Sequence, residues 1–405
     1  MPPEKKEKLK RLFYRGALIS TLLLTLVALL MTRPWSRHNS WKQMAIFMPS
    51  KRVANFRAMD EIFPSRPIRR GEPSHRFETR ERPLPKTYTY RGKQTRLDDF
   101  LDRTFTTGVL VLQGNAIVAE RYFRGARPDS ALTSWSMAKS IVSLLVGIAR
   151  DEGLIGDLDV PIGSYASELR ASAYGAVTLG DALTMSSGVA FDERYERLFS
   201  DINLMFARIF YFRESAAHYL ASLPREAPSG KRFHYISADT FALGLALREA
   251  IGRSLSSYLE QKIWKPIGME YDASWNVASD DDIELAFCCL NARLRDYAKL
   301  GRLVARGGDW DGRRIISKNW LRQSTRVEPE RAPGTIPGFR FGYQYHWWIP
   351  SGGREAFMAA GIWSQYLYIN PSRDLVIVKT SVDPNFFQTK DEHVAVFEAI
   401  EDALR

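Results

Sequence analysis

The chain has 405 residues, of which 45% are hydrophobic, 12% aromatic and 25% charged, with no internal repeat or low-complexity tract. That is a globular composition, with apolar mass for one large domain or two ordinary ones plus appendages. The net charge of +11 comes largely from before residue 97, and no zinc-finger spacing, RNP-like aromatic motif or phosphate-binding glycine loop accompanies it; a membrane surface is the expected partner, and nucleic acid is excluded.

Lys5, Lys6, Lys8, Lys10, Arg11 and Arg15 precede residues 16–32, a stretch without a charge. As a helix it spans roughly 25 Å, slightly short of a bilayer core, with Tyr14 and Trp35 placed for the two interfaces. Residues 1–15 therefore read as a cytoplasmic basic tail, and 16–32 as a single-pass signal anchor in the inner membrane, with the rest on the periplasmic side. A cleaved signal peptide is the alternative, but residues 32–35, Thr-Arg-Pro-Trp, lack the small-x-small pattern of a cleavage site. Residues 33–84, rich in Arg and Pro and without periodicity, read as a tether able to hug the domain surface.

Residues 85–405 read as one folded domain. Two β-rich runs within 107–122, split by Gly114-Asn115, predict a hairpin. Ser136-Met-Ala-Lys139 then opens an apolar helical run (Ile141, Val142, Leu144, Leu145, Val146, Ile148) ending near 151–153. A mainly helical subdomain is expected over about 155–285, with helices at 202–212, 214–223, 238–251 and 254–263. A helix at 292–306, β-rich runs at 342–348, 362–369 and 375–380, and a terminal helix at 392–404 complete the pattern. The fold class is α/β (α+β): an antiparallel sheet flanked by helices, with an inserted helical subdomain. Cys288 and Cys289 are adjacent, which rarely meets disulfide geometry, and read as small buried apolar residues.

The chemistry centres on Ser136 and Lys139. Three apart on a helix they share a face, so the lysine amine, if burial keeps it neutral, can take the serine proton. An N-capped helix with an ordinary lysine is the plainer alternative. A proton relay would be met by Tyr235 and Ser237, which share a side if the segment after Pro228-Ser-Gly230 is extended; a packed tyrosine is the plainer reading there. Gly-x-Ser-x-Gly is absent, none of the six histidines stands by a nucleophile elbow, and no cluster has metal-ligand spacing. The acidic run 280–284 reads as a solvated surface or a helix N-terminus.

With these residues in place the chain resembles the serine β-lactamase/penicillin-binding superfamily, in particular its class C-like esterase and 6-aminohexanoate-dimer (nylon-oligomer) hydrolase branch. The resemblance covers roughly residues 90–405. It rests on Ser136-Met-Ala-Lys139, Leu183-Thr-Met-Ser-Ser-Gly188, Tyr235-Ile-Ser237, Trp264-Lys-Pro-Ile-Gly-Met269, Leu290-Asn-Ala-Arg-Leu-Arg-Asp296, Phe341-Gly-Tyr-Gln-Tyr-His-Trp-Trp348 and Gly361-Ile-Trp-Ser-Gln365. It implies Ser136 as nucleophile, Lys139 as base, Tyr235 as relay acid/base, and an oxyanion hole from the N–H groups of Ser136 and Ile362. It also implies substrate contacts at Tyr195, Asp201, Ser237, Asn291, Trp348 and Gly361; for Asp201 a helix N-cap is the alternative. The lactam-cleaving relatives carry asparagine where Ser237 stands, and Lys-Thr-Gly or His-x-Gly on the sheet edge where this chain has Gly361-Ile362-Trp363-Ser364. Lys379-Thr380-Ser381 falls at the end of the following strand and is not the substitute, so Trp348 and Trp363 are expected to form an apolar wall without a cation. The resemblance thus implies a serine hydrolase needing no cofactor and no metal, acting on a small-molecule amide or ester. The alternatives are a β-lactamase or peptidoglycan DD-peptidase, and a non-catalytic cell-envelope binding protein.

Overall fold

The structure, a computed structural model, describes residues 2–32, 35–278, 282–327 and 341–405. Helix α1 (Pro3–Thr32) carries the charge-free run and is long and apolar enough to cross a membrane, a property a signal sequence shares. Residues 33 and 34, at the disfavoured cleavage point, lie outside the described residues. Helices α2 (Ser40–Met44), α3 (Arg52–Asn55) and α4 (Met59–Ile62) follow, then strands β1 (Ser65–Ile68) and β2 (Glu78–Thr79). Next come β3 (Thr87–Tyr90), β4 (Lys93–Arg96), α5 (Leu97–Arg103), β5 (Thr106–Gln113), β6 (Ala116–Tyr122), β7 (Leu132–Thr133) and α6 (Met137–Asp151). The helical part holds α7 (Leu179–Leu183), α8 (Asp201–Phe210), α9 (Ala216–Ala221), α10 (Ser237–Ile251) and α11 (Leu255–Leu259). After it run β8 (Ala273–Asn276), β9 (Leu290–Ala292), α12 (Leu294–Ala305), β10 (Asp309–Trp310), β11 (Arg313–Arg314) and α13 (Lys318–Ser324). The chain closes with β12 (Phe341–Gln344), β13 (Trp347–Pro350), β14 (Phe357–Gly361), β15 (Gln365–Asn370), β16 (Leu375–Ser381) and α14 (Lys390–Ala403).

An eight-stranded sheet, in the order β12-β13-β14-β15-β16-β5-β6-β2, is the backbone of the domain. Its neighbours are antiparallel except β2, which runs parallel to β6. Period-two alternation splits the core into two layers. Leu110, Leu112, Val376 and Val378 face α6 and α12, while Val109, Val111, Leu375 and Ile377 face α5 and α14. Both faces are covered, so the strands read as unbroken apolar runs.

Several expectations change. Residues 35–84, from the stretch read as a tether along the domain surface, lie against the domain, with β1 pairing β8 and β2 pairing β6. The run 342–348 is a hairpin, not one strand, because Tyr345 and His346 take positive φ and reverse the chain between β12 and β13. The run 362–369 likewise begins with a turn: Trp363 and Ser364 have positive φ, and β15 starts only at Gln365. Finally, Cys288 and Cys289 are buried but joined by a disulfide; Cys289 at φ +70° forms a tight reversal that brings adjacent sulfurs together. In the acidic run, Asp280 and Asp281 lie outside the described residues, and Glu284 is buried 3.0 Å from Arg66, not solvated.

Candidate active site

Ser136 is placed by the strand before it. Strand β7 pairs with β9, Ser134 N–H donates to Leu290 O at 2.8 Å, and Leu290 N–H donates back to Ser134 Oγ at 3.0 Å. Trp135, at φ +43°, turns the chain so that Ser136 becomes the N-cap of α6. One helical turn on, Lys139 brings Nζ to 3.0 Å from Ser136 Oγ, 3.2 Å from Ser237 Oγ and 3.0 Å from Phe287 O.

Those three contacts fix the hydrogen count. Phe287 O can only accept. Ser237 Oγ sends its own hydrogen to Glu193 Oε1 at 2.6 Å, so towards Lys139 it accepts as well. A neutral amine has two hydrogens for these acceptors, which leaves its lone pair aimed at the Ser136 hydroxyl. Burial favours the neutral form: it lowers Lys139 to about 8, against the opposing pull of Glu193, so the amine becomes a free base as pH rises towards that value.

Glu193 escapes the sequence reading. It lies in the loop before α8 with no periodic or motif signal, yet Ser237 Oγ, Ser237 N–H (2.8 Å) and Tyr195 OH (2.6 Å) all donate to its carboxylate. Burial pushes Glu193 above the usual carboxylate range, while Lys139 and the donors oppose that. Tyr235 hydrogen-bonds to Ser136, and its ring lies 5.4 Å from Trp348 and 5.8 Å from Tyr343. Desolvation, then the Glu193 charge, holds its phenol well above the ordinary value; the bond to Ser136 pulls the other way.

The end of β14 closes the site from the sheet side. A Cβ on Gly361 would sit 2.6 Å from Ser134 O and 2.9 Å from Ser136 N, so the strand passes the nucleophile at a distance only glycine allows. Among the described residues, neither Ser136 N–H nor Ile362 N–H has a carbonyl acceptor. The turn after Ile362 is pinned by Gln365 Nε2, which donates to Trp363 O at 3.0 Å and Ser381 O at 2.7 Å. Two N–H groups beside a hydroxyl and a neutral amine can stabilise an oxyanion as acyl transfer develops.

The other candidates divide. Tyr195, Ser237, Trp348 and Gly361 join this cluster. Asn291 does not bring its amide to it: Nδ2 donates to Asn276 Oδ1 at 3.0 Å, bracing β9 against β8. Asp201 accepts from Asp192 N–H at 2.7 Å, while Ser200 occupies the N-cap of α8; the carboxylate thus ties down its own loop. The wall expected to lack a cation has one in Arg52 and, in Lys390, an amine that burial lowers to about 7. Arg52 lies 4.3 Å over Trp363, and Lys390 Nζ sits 3.1 Å from the centre of the Trp348 ring. Both come from segments distant in sequence. Lys379 shares a face with Leu375 and Ile377, towards α5 and α14 and away from Ser136, as its position in the motif implies.

A family model described as Beta-lactamase matches residues 95–399. The 6-aminohexanoate-dimer hydrolase of Paenarthrobacter ureafaciens is 27% identical over 360 residues, spanning 86% of this chain and 88% of that protein. Among solved structures, a Bacillus anthracis protein provisionally described as a 6-aminohexanoate-dimer hydrolase superposes with a TM-score of 0.79 at 24% identity, covering 87% of this chain and 95% of its own. A family VIII carboxylesterase superposes at 0.57 with 18% identity, over 76% of this chain and 95% of its own. These superpositions carry the fold.

Proposed function

The chain belongs to the Beta-lactamase family and is a hydrolase of that fold, and from that premise we propose that Ser136, Lys139 and Tyr235 cleave an amide or ester through an acyl-enzyme. The observation that carries this is a buried lysine amine 3.0 Å from a serine hydroxyl, with its two other contacts at Ser237 Oγ and Phe287 O. Ser136 Oγ adds to the substrate carbonyl as its proton passes to Lys139 Nζ, and the oxyanion is held by the N–H groups of Ser136 and Ile362. Tyr235, hydrogen-bonded to Ser136, delivers a proton to the departing amine or alcohol and recovers one from Lys139. Water then enters by the same route, and the acid is released. Glu193, through Ser237, keeps Lys139 oriented.

The aromatic wall of Tyr235, Tyr343 and Trp348 suits an alkyl or aryl acyl chain. Short esters and linear ω-amino amides are the substrate class, in keeping with the names of the similar 6-aminohexanoate-dimer hydrolase and carboxylesterase. Arg52 and Lys390 favour a second reading, a substrate bearing a carboxylate, β-lactams included. The deciding experiment offers the purified chain a p-nitrophenyl ester, a 6-aminohexanoate dimer and a cephalosporin, with intact-mass detection of an adduct on Ser136. Ester and dimer turnover with little cephalosporin cleavage is expected; the reverse order makes it a lactamase. We also place α1 across the inner membrane with residues 1–15 in the cytoplasm and the domain outside, on the excess of lysine and arginine before the apolar run. Protease added to spheroplasts should digest the domain and spare the tail.

A further inference from the structure

Aromatic rings run without a break from the segment after α1 to the mouth of the Ser136 cleft. Phe47 stacks on Trp363 at 5.6 Å, Trp363 meets Phe386 at 5.8 Å, Phe386 meets Phe387 at 4.3 Å, and Phe387 lies 6.5 Å from Tyr195. Trp363 follows Ile362, and Tyr195 holds Glu193, so the ridge borders the reacting groups. Phe387 of this ridge is 53% exposed, and the segments that supply Phe47 and Tyr195 also expose Trp41 (61%), Met48 (50%), Leu198 (76%) and Phe199 (78%). Single apolar side chains at a surface are ordinary. Five large ones, on three segments that converge on one cleft, mark an interaction surface.

What covers it follows from the chain. Seven residues separate α1 from α2, so Ser40 can lie no more than about 30 Å from the end of the membrane helix. Exposed Lys42 and Lys51 bracket Met44, Phe47 and Met48, a pattern suited to anionic headgroups around an inserted apolar patch. We propose that the bilayer holding α1 also covers this ridge, so that the cleft opens at the membrane surface. The substrates are then amphiphilic amides or esters whose acyl chains reside in the bilayer. The inference rests on α1 being retained as an anchor.

The test uses the full chain in vesicles of phosphatidylethanolamine and phosphatidylglycerol. Spin labels are attached through Met48→Cys, Phe199→Cys and Arg313→Cys. Arg313 sits in the β10–β11 hairpin beside the β5–β6 turn, at the far end of the sheet from Ser381. Labels at 48 and 199 should meet lipid-soluble oxygen and be shielded from an aqueous nickel chelate, with the label at 313 reversed. Equal water access at all three sites would overturn the proposal. So would shielding accompanied by spin–spin coupling between copies, which would make the ridge a dimer face. Phe199→Asp should lower kcat/KM on a bilayer-dissolved long-chain ester about tenfold, or about 1.4 kcal/mol, while hydrolysis of p-nitrophenyl acetate is unchanged; equal loss on both, or none, would count against it. The mass of the mature chain tests the anchor separately. A mature chain lacking residues 1–32 removes the anchor and with it the inference; a chain that retains them while the labels at 48 and 199 stay in water overturns the covered ridge alone.

Discussion

Glu193→Gln should move the acid limb of the pH–rate profile towards lower pH. In the native site Lys139, lowered to about 8, must lose its proton to act as a base, so kcat/KM climbs tenfold per unit as pH rises towards that value and then levels. Lys139 Nζ and Glu193 Oε1 are joined through the Ser237 hydroxyl by contacts of 3.2 and 2.6 Å, which puts them no more than about 6 Å apart. At that separation an effective dielectric of about 20 gives an attraction of about 3 kcal/mol, or about two pH units of lysine basicity. Glutamine removes the charge, so the limb should fall towards about pH 6. The plateau should fall too, because one amide oxygen replaces two acceptor oxygens for three donors. The assay is kcat/KM for a p-nitrophenyl ester from about pH 5 to about pH 10. A limb that stays put, or moves up, would refute the coupling and with it the assignment of the limb to Lys139.

Ser136→Ala should abolish ester turnover and the acyl adduct, and Tyr235→Phe should cost roughly 10²–10⁴-fold in kcat, the usual worth of a general acid–base; both are read by steady-state kinetics with intact mass. Lys139→Met should kill activity yet raise stability at pH 6 by up to about 3 kcal/mol, since it relieves a buried ammonium. Because the folded pKa lies below the unfolded one, the unfolded chain holds the extra proton between about 8 and the ordinary 10.5; wild-type stability therefore rises through that window and the gap should close above it in urea titrations. Gly361→Ala should push β14 off Ser136, lowering kcat far more than stability; kinetics and thermal melts on the same protein separate the two.

What was legible in the sequence was local. Ser136 and Lys139 meet because a helix spaces them, and the Gly114-Asn115 turn declares the β5–β6 hairpin. Glu193 was invisible because its partners sit elsewhere: Ser237 lies in another element, and nothing in Asp192-Glu193-Arg194 distinguishes a buried anion from a solvated one. The turns at Tyr345-His346 and Trp363-Ser364 were missed because they adopt positive φ without glycine, inside runs whose composition favours strands. Arg52 and Lys390 became neighbours of Trp363 and Trp348 only through long-range packing, as did α2 to α4, whose four or five residues are too few to announce a helix.

The strand order has a bearing on how the protein is made. The sheet's central contact is β16 against β5, with Val109 opposite Lys379 and Leu112 opposite Val376, so its two halves come from opposite ends of the domain. Helix α6, buried from Met137 to Ala149, cannot find its sheet until β14 to β16 have emerged. During synthesis its apolar run is exposed while about two hundred residues are still to come, and closing so long a loop makes the final step slow. The nucleophile helix is translated well before the strands it packs on and reaches its native packing only after them, which leaves it open to misassembly in the interval.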